Sequence, residues 1–332
     1  MNKLKVVLSL MTRDSDYQLA QAKAAEAVAQ RQNLDLEIFY ADGNPVTQSS
    51  QLLNLIHKYK SELSAILVAP AGGTEFPQVG KAAVSAGIAW VVLNRDGSSL
   101  ADLRRNFQVP AFAVSSDHKQ VGRIQAQQLA AILPQEATVL YIQGPSSSLA
   151  AQHRLVGLEG AKPPHLTLKI LKSSNWTEEG GFQAASSWLR LTTSQQQPIG
   201  AVAAQKDFIA MGARRAFEEA KALLSGGTWS QLPFLGVDGL PLTGQAYVNR
   251  GSLIATVVVP PVAGTALEAV VKAIATKTKP PDLLVIPSHS YPAVESLQPV
   301  AAPVHPIGAP NNRSWQQQTG AEPCAPVESP DS

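Results

Sequence analysis

Short apolar runs alternate along the chain with stretches of helical spacing. The runs are "KVVLSLM" (5–11), "LDLEIFYA" (34–41), "AILVAPA" (65–71), "WVVLNR" (90–95), "FAVSS" (112–116), "TVLYIQG" (138–144), "LTLKILK" (166–172), "GAVAAQ" (200–205), "FLGVDG" (234–239) and "LIATVVV" (253–259). Between them lie segments such as "YQLAQAKAAEAVAQRQ" (17–32), "TQSSQLLNLIHKYKS" (47–61), "KQVGRIQAQQLAAIL" (119–133) and "IAMGARRAFEEAKALL" (209–224). Their alanines, leucines and glutamines favour helices with one apolar stripe. Strand–helix alternation of this kind predicts parallel sheets covered by helices on both faces, with right-handed crossovers. Ten runs are too many for one comfortable sheet of this type. The pattern therefore predicts two doubly wound lobes, dividing near Ser116–Asp117. From about residue 301 the alternation stops, and the Pro-, Gln- and Ser-rich remainder is expected to be disordered.

In parallel α/β sheets ligands bind beyond the carboxyl ends of the strands. The residues that follow each run therefore carry the functional information. Arg13, Asp14, Asp16 and Tyr17 follow the first run, "GGTE" (72–75) the third, and Asn94, Arg95 and Asp96 the fourth. Asp117 follows the fifth. "GPSSS" (144–148) follows the sixth, with Arg154 on the next helix. Asn175 and Trp176 follow the seventh, Lys206 and Asp207 the eighth, and Asp238 the ninth. Buried hydrogen-bonding groups are costly unless paired, and a polar ligand between the lobes would pair them. Arg, Asp and Asn can each address neighbouring hydroxyls of a sugar, while Tyr17 and Trp176 can cover its apolar faces.

Taken singly, these residues have simpler uses. Asp14, Asp117, Asp207 and serines 146–148 suit helix N-caps. Arg95 with Asp96, and Lys206 with Asp207, suit surface ion pairs. Trp176 suits a core. Recurrence at one sheet edge is what points to a site.

Composition narrows the function classes. Twenty-seven Lys and Arg against 25 Asp and Glu give a net charge of +2, with 45% hydrophobic and 16% charged residues. That balance offers no footprint for nucleic acid or an anionic membrane, and no apolar run approaches a bilayer span. The single cysteine, Cys324, excludes an intrachain disulfide and a thiolate metal site. Six histidines lack metal-ligand spacing; His118 is read as a cap-region residue and His153 as a helix-surface one. No G-x-S-x-G elbow and no G-x-G-x-x-G fingerprint occurs, and "GGTEFPQVGK" has the wrong glycine spacing for a phosphate loop. "NWT" (175–177) is a sequon by letter only. Neither an enzyme, a cofactor nor a metal is expected. "MNKLKVVLSLM" reads as a first strand rather than a leader, so the chain as written is expected in the cytoplasm.

On "VVLNRD", "AVSSDHKQVGRIQAQQLA", "YIQGPSSSLAAQHRLVGLEGA", "AVAAQKDFIAMGARRAFEEA" and "LGVDGLP", the sequence resembles the type I periplasmic sugar-binding proteins, the ribose-binding kind among them. It is also similar to the effector-binding core of the lactose-repressor family. The resemblance spans about residues 4–300. It implies two lobes that close on a sugar: residues 1–116 with 259–287, and 117–258 with 288–300, the chain crossing three times. It implies roles for Arg95 and Arg154 as donors to sugar oxygens, Asp238 as an acceptor, and Trp176 and Tyr17 as aromatic covers. Asn94 stands where ribose binders have Asp, Lys206 where they have Asn, and Asp14 and Asp16 where Asn and aromatics are usual. Those departures point to a ligand other than ribose, and to a sugar acid or phosphorylated sugar if the protein is cytoplasmic. The implied partners are an ABC permease or a sensor histidine kinase, and the implied location is the periplasm or cell envelope. The alternative is a cytoplasmic regulatory sensor without a DNA-binding segment.

Overall fold

The computed structural model describes residues 3–72, 75–191, 198–223 and 232–300, with the side chains of Ser61 and 221–223 excepted. The expectations for the 301–332 tail, and for Gly73 and Thr74 of the "GGTE" turn, lie outside these residues.

Twelve strands form two six-stranded sheets. The first contains β1 (Lys5–Leu10), β2 (Asp35–Tyr40), β3 (Leu63–Val68), β4 (Ala89–Leu93), β5 (Ala111–Ser116) and β11 (Leu283–Ile286). Their order is β11-β5-β4-β3-β1-β2, and every pair is parallel. The second contains β6 (Ala137–Gln143), β7 (Leu166–Lys172), β8 (Ala201–Ala204), β9 (Phe234–Asp238), β10 (Ala255–Val258) and β12 (His289–Tyr291). Here the order is β12-β10-β9-β8-β6-β7, with only β12 antiparallel to its neighbour. The ten apolar runs each become a strand. The two extra ones, β11 and β12, are four and three residues long and flanked by prolines, too short for an apolar signal.

Helices α1 (Asp16–Gln32), α2 (Pro45–Tyr59), α3 (Pro77–Ser85) and α4 (Ala101–Asn106) connect the strands of the first sheet. Helices α5 (His118–Ile132), α6 (Leu149–Ala161), α7 (Glu178–Leu189) and α8 (Asp207–Leu223) serve the second. A four-residue turn, α9 (Ala246–Asn249), precedes β10, and α10 (Ala263–Thr276) packs against α1 beside the first sheet. Each sheet is buried on both faces. On the first sheet, Val6, Leu8, Leu10, Val91 and Leu93 face Ala25, Val28, Leu267 and Val270, while Val7, Ile66, Val68 and Trp90 face Leu52, Leu55, Val79 and Ala83. Near-continuous apolar strands are what two covered faces require.

The chain passes from one sheet to the other after Ser116, returns after Val258, and leaves again between Ile286 and His289. Beside these crossings, Tyr17 of α1 packs with Val121, Ile124, Val237, Val257 and Val259. Buried glutamines tie strand tips to neighbouring loops. Gln48 donates to Ser9 Oγ (2.9 Å) and Ala69 O (3.0 Å) and accepts from Ala71 N (2.6 Å). Gln205 donates to Tyr141 Oη (2.9 Å) and Ala151 O (2.8 Å) and accepts from Gly144 N (3.0 Å). Such staples satisfy the polar backbone where it leaves each sheet.

Candidate functional site

The carboxyl ends of both sheets face one cavity of about 290 Å³. Its wall includes Tyr17, Asn94 and Arg95 from the first sheet's side, and Arg154, Trp176, Lys206 and Asp238 from the second's. Asp16 is not on that wall; it lies behind Lys206, on the same inter-sheet contact. Seven of the eight residues singled out from the sequence thus share one cavity, and the eighth touches a member of it.

Local backbone geometry aims these tips. Asn94 directly follows β4 with φ +58°, and Asp238 ends β9 with φ +106°. Positive φ is uncommon outside glycine and clusters at functional sites. The amide of Asn94 accepts from Gln21 Nε2 (2.8 Å) and donates to Tyr17 Oη (3.0 Å). Tyr17 Oη in turn donates to Pro260 O (3.0 Å). Tyr17 is therefore a buried strut between α1 and a crossing segment as much as a cavity wall, and burial raises its phenol's pKa.

Arg95 does not pair with Asp96. Its Nη atoms donate to the carbonyls of Asn94 (3.1 Å), Pro70 (3.3 Å) and Gly72 (2.8 Å). Asp96 is exposed and accepts from Ser98 N. Desolvation lowers the pKa of Arg95, against the pull of Glu75 and Asp96.

On the other side, Arg154 donates to Gln205 O (2.5 Å) and lies 3.7 Å from Asp238 Oδ1. Its guanidinium sits 5.8 Å from the Trp176 ring centroid, a cation–π distance. Trp176 does have the core packing that the sequence also allowed, and its ring covers Gly144 so closely that any Cβ there would overlap it.

Lys206 is not paired with its sequence neighbour Asp207. Its Nζ lies 3.2 Å from Asp16 Oδ1, 3.8 Å from Asp238 Oδ2 and 3.3 Å from Ser15 Oγ. Asp16 Oδ2 also accepts from Thr243 Oγ1 (3.0 Å). These contacts join α1 to the second sheet's loops directly. Burial raises the Asp238 pKa, opposed by Lys206 and Arg154.

The alternative cap readings divide. Asp117 accepts from Gln120 N and Ser148 from Ala151 N, as caps do. Asp14 bonds only with Thr12 among the described contacts. Asp207 instead turns inward: it accepts from Gly239 N (2.8 Å) and Thr256 Oγ1 (2.6 Å), and burial raises its pKa well above the ordinary carboxylate value. An i to i+1 pairing with Lys206 fails because the strand-to-helix turn points the two side chains to different places.

One wall residue was read differently in the sequence. His118, the first residue of α5, is buried on the cavity wall, and neither ring nitrogen has a partner. Burial, then Arg154 and Arg95, hold its pKa well below the ordinary histidine value. Its only sequence signal was its place, immediately after a strand that leads into the second sheet. Met11, Ala69, Pro70, Leu93 and Pro145 complete an apolar side of the cavity. Aromatic and aliphatic cover on some sides with charged hydrogen-bonding groups on others is the surface that a polyhydroxylated ring requires.

Among the described residues there is no cluster of three or more His, Cys, Asp or Glu able to hold a metal ion, and no helix long and apolar enough to cross a membrane.

The model of the family described as periplasmic binding protein domain matches residues 6–279. No curated protein matches. Solved structures similar to this chain include an ABC transporter periplasmic solute binding protein from Actinobacillus succinogenes 130z with bound D-allose. It is 24% identical with a TM-score of 0.74, covering 87% of this chain and 97% of that one. The periplasmic binding protein component of the arabinose ABC transporter from Shewanella sp. ANA-3, bound to alpha and beta-L-arabinofuranose, is 22% identical with a TM-score of 0.71, covering 88% and 93%. The fructose binding periplasmic domain of a hybrid two component system is 20% identical with a TM-score of 0.72, covering 86% and 90%.

Proposed function

The chain belongs to the periplasmic binding protein family, and from that premise we propose that it is a solute-binding protein whose two lobes close on a sugar or sugar-like polyol. The observation that carries this is the convergence of both sheets' polar strand tips on a single cavity, with Trp176 and Arg154 side by side on its wall. Two of the similar solved structures hold D-allose and L-arabinofuranose, and the third is a fructose binding domain, which fits a cavity of this size and lining. The lobes are residues 1–116 with 259–287 and residues 117–258 with 288–300, hinged where the chain crosses. Ligand contacts to both lobes stabilise the closed form by their differential affinity for it. Arg95 and Asn94 address the ligand from one lobe; Arg154, Lys206 and Asp238 address it from the other.

The site is one for binding rather than catalysis: its polar groups surround a cavity instead of setting a nucleophile against a base. The closed form is read by an ABC permease or a sensor kinase, the two contexts in which such relatives occur, and the location is the periplasm. The matched family favours this reading over a cytoplasmic regulatory core.

Calorimetry against pentoses, hexoses, polyols and their charged derivatives tests the proposal. Saturable one-to-one binding is expected, with Arg154→Ala and Asp238→Ala each losing about 2–5 kcal/mol, because each strands a buried charge. A protein that melts cooperatively yet binds no member of the panel overturns it.

A further inference from the structure

The charges around the cavity do not balance. Arg95, Arg154 and Lys206 line it, whereas among the described residues Asp238 is the one carboxylate on its wall. Asp238 faces both Arg154 (3.7 Å) and Lys206 (3.8 Å), and Asp16 takes Lys206 from behind (3.2 Å). Two carboxylates thus serve two of the three cations. Arg95 has no carboxylate within 4 Å among the described residues; its hydrogen bonds go to three neutral carbonyls. Glu75 and Asp96 act on it only through space. Glu75 is occupied by Gly97 N, Ser99 N and Ser99 Oγ, and Asp96 faces solvent. Desolvation prevails over their attraction, so the Arg95 cation is under-compensated where it sits.

Unpaired donors accompany the unpaired charge. Among the described residues, Arg95 Nε and Arg154 Nε are buried without a hydrogen-bond partner, and the His118 ring makes no well-aligned hydrogen bond, the Asn94 backbone being the nearest polar group acting on it. His118 is more than nine-tenths buried, and both guanidinium groups act on its ring. A half-buried cation without a carboxylate partner and buried N–H groups without acceptors are each costly. An oxyanion in the cavity would offset the charge of the two guanidinium groups on its wall and offer an acceptor to any of these donors that turns toward it.

We infer that the ligand is an anionic sugar derivative, bearing a carboxylate or a phosphate, and that Arg95, His118 and Arg154 seat this group. The inference rests on the solute-binding reading above and deepens it from sugar to acidic sugar. The polyol part then lies toward Trp176, Asp238 and Lys206, where acceptor and aromatic face are both present.

Matched ligand sets test it. For glucose, galactose and ribose, affinities of the intact protein are measured by calorimetry for the neutral sugar, its acid and its terminal phosphate ester. At least one acidic member is expected to bind its site tenfold or more above the neutral parent, about 1.4 kcal/mol, with the preference weakening as salt is raised. The acid and phosphate arms distinguish the two anion types. Arg95→Gln is expected to bring the acidic-to-neutral ratio to near one, and Arg95→Lys to restore part of it; His118→Gln, which keeps a donor, should retain more of it than His118→Leu. Melting curves establish that each variant is folded. If a neutral sugar binds as tightly as its acidic derivatives, the inference fails while the solute-binding reading stands. If no member of any set binds, the reading beneath it fails as well.

Discussion

Trp176 and Gly144 form one unit, because the indole lies directly where a side chain at Gly144 would be. Trp176→Ala removes both the apolar cover and the ring beside Arg154, and should weaken ligand binding by about ten- to a hundredfold, in line with aromatic and cation–π contributions of one to three kcal/mol. Gly144→Ala should weaken binding as well, by tilting the ring, while Arg154 and Asp238 remain. Titration calorimetry of the two variants checks this; full affinity in Gly144→Ala would mean that the ring does not touch ligand. His118 carries a separate prediction. Its folded pKa lies well below the ordinary value of 6.5, so the unfolded chain takes up a proton first as pH falls. Stability from this group is therefore complete above that ordinary value and declines below it, by at most about 1.4 kcal/mol per pH unit. The raised pKa values of Asp207 and Asp238 act in the opposite sense, so the His118 contribution is read as the difference between the ligand-free wild type and a His118 variant as pH goes from neutral to mildly acidic. Relative to wild type, His118→Gln should gain melting temperature as the pH is lowered through this range, and an identical pH slope in the two proteins would contradict the assignment.

At the scale of elements, buried glutamines hold the strand tips together with the charged Arg95 and Asp207. Gln205 joins β8, the loop after β6 and the start of α6 through Tyr141, Gly144 and Ala151. It also places the carbonyl that Arg154 grips. Gln205→Leu fills the same space but takes the partner from the Gly144 N–H and the Tyr141 phenol and removes the second bond to the Ala151 helix carbonyl. The expected loss is about 1–3 kcal/mol of stability per group left unsatisfied, though water entry can reduce it. Urea unfolding reads that loss, and ligand affinity should drop with it, because the backbone carbonyl that Arg154 grips is kept but no longer held in place by the side chain. Periodicity located the strands around this network correctly, but it could not show the network. A glutamine in a helix or after a strand looks polar and exposed until the chain is folded.

For the whole molecule, the contacts of Asp16 with Lys206 and Thr243 span the two sheets where α1 approaches the second sheet's loops. Lys206 is thereby shared between Asp16 and Asp238. On the proposed lobe division, this is a clasp that favours the closed form. Asp16→Asn keeps the size and removes the charge, so the ligand-free protein should open further. Small-angle scattering should show a larger radius of gyration without ligand, and a larger contraction on adding it. An unchanged radius in both states would place the control of closure in the crossing segments and the apolar packing around Tyr17 instead.

The chain's own pattern determined the architecture, because burial on both faces of a parallel sheet demands apolar strands, and covering helices demand a 3.6-residue stripe. Both are properties of order along the chain. It also indicated which loops carry polar residues at the carboxyl edge, since topology alone assigns that edge. What it left open were pairings between distant residues. Arg95 chose three carbonyls rather than Asp96, Lys206 chose Asp16 and Asp238 rather than Asp207, and Asp207 chose Gly239 and Thr256. The burial of His118 and the unbalanced charge of Arg95 belong to the same class. Hydrogen bonds and ion pairs act over a few ångströms in space, and only the folded chain decides which residues come that close.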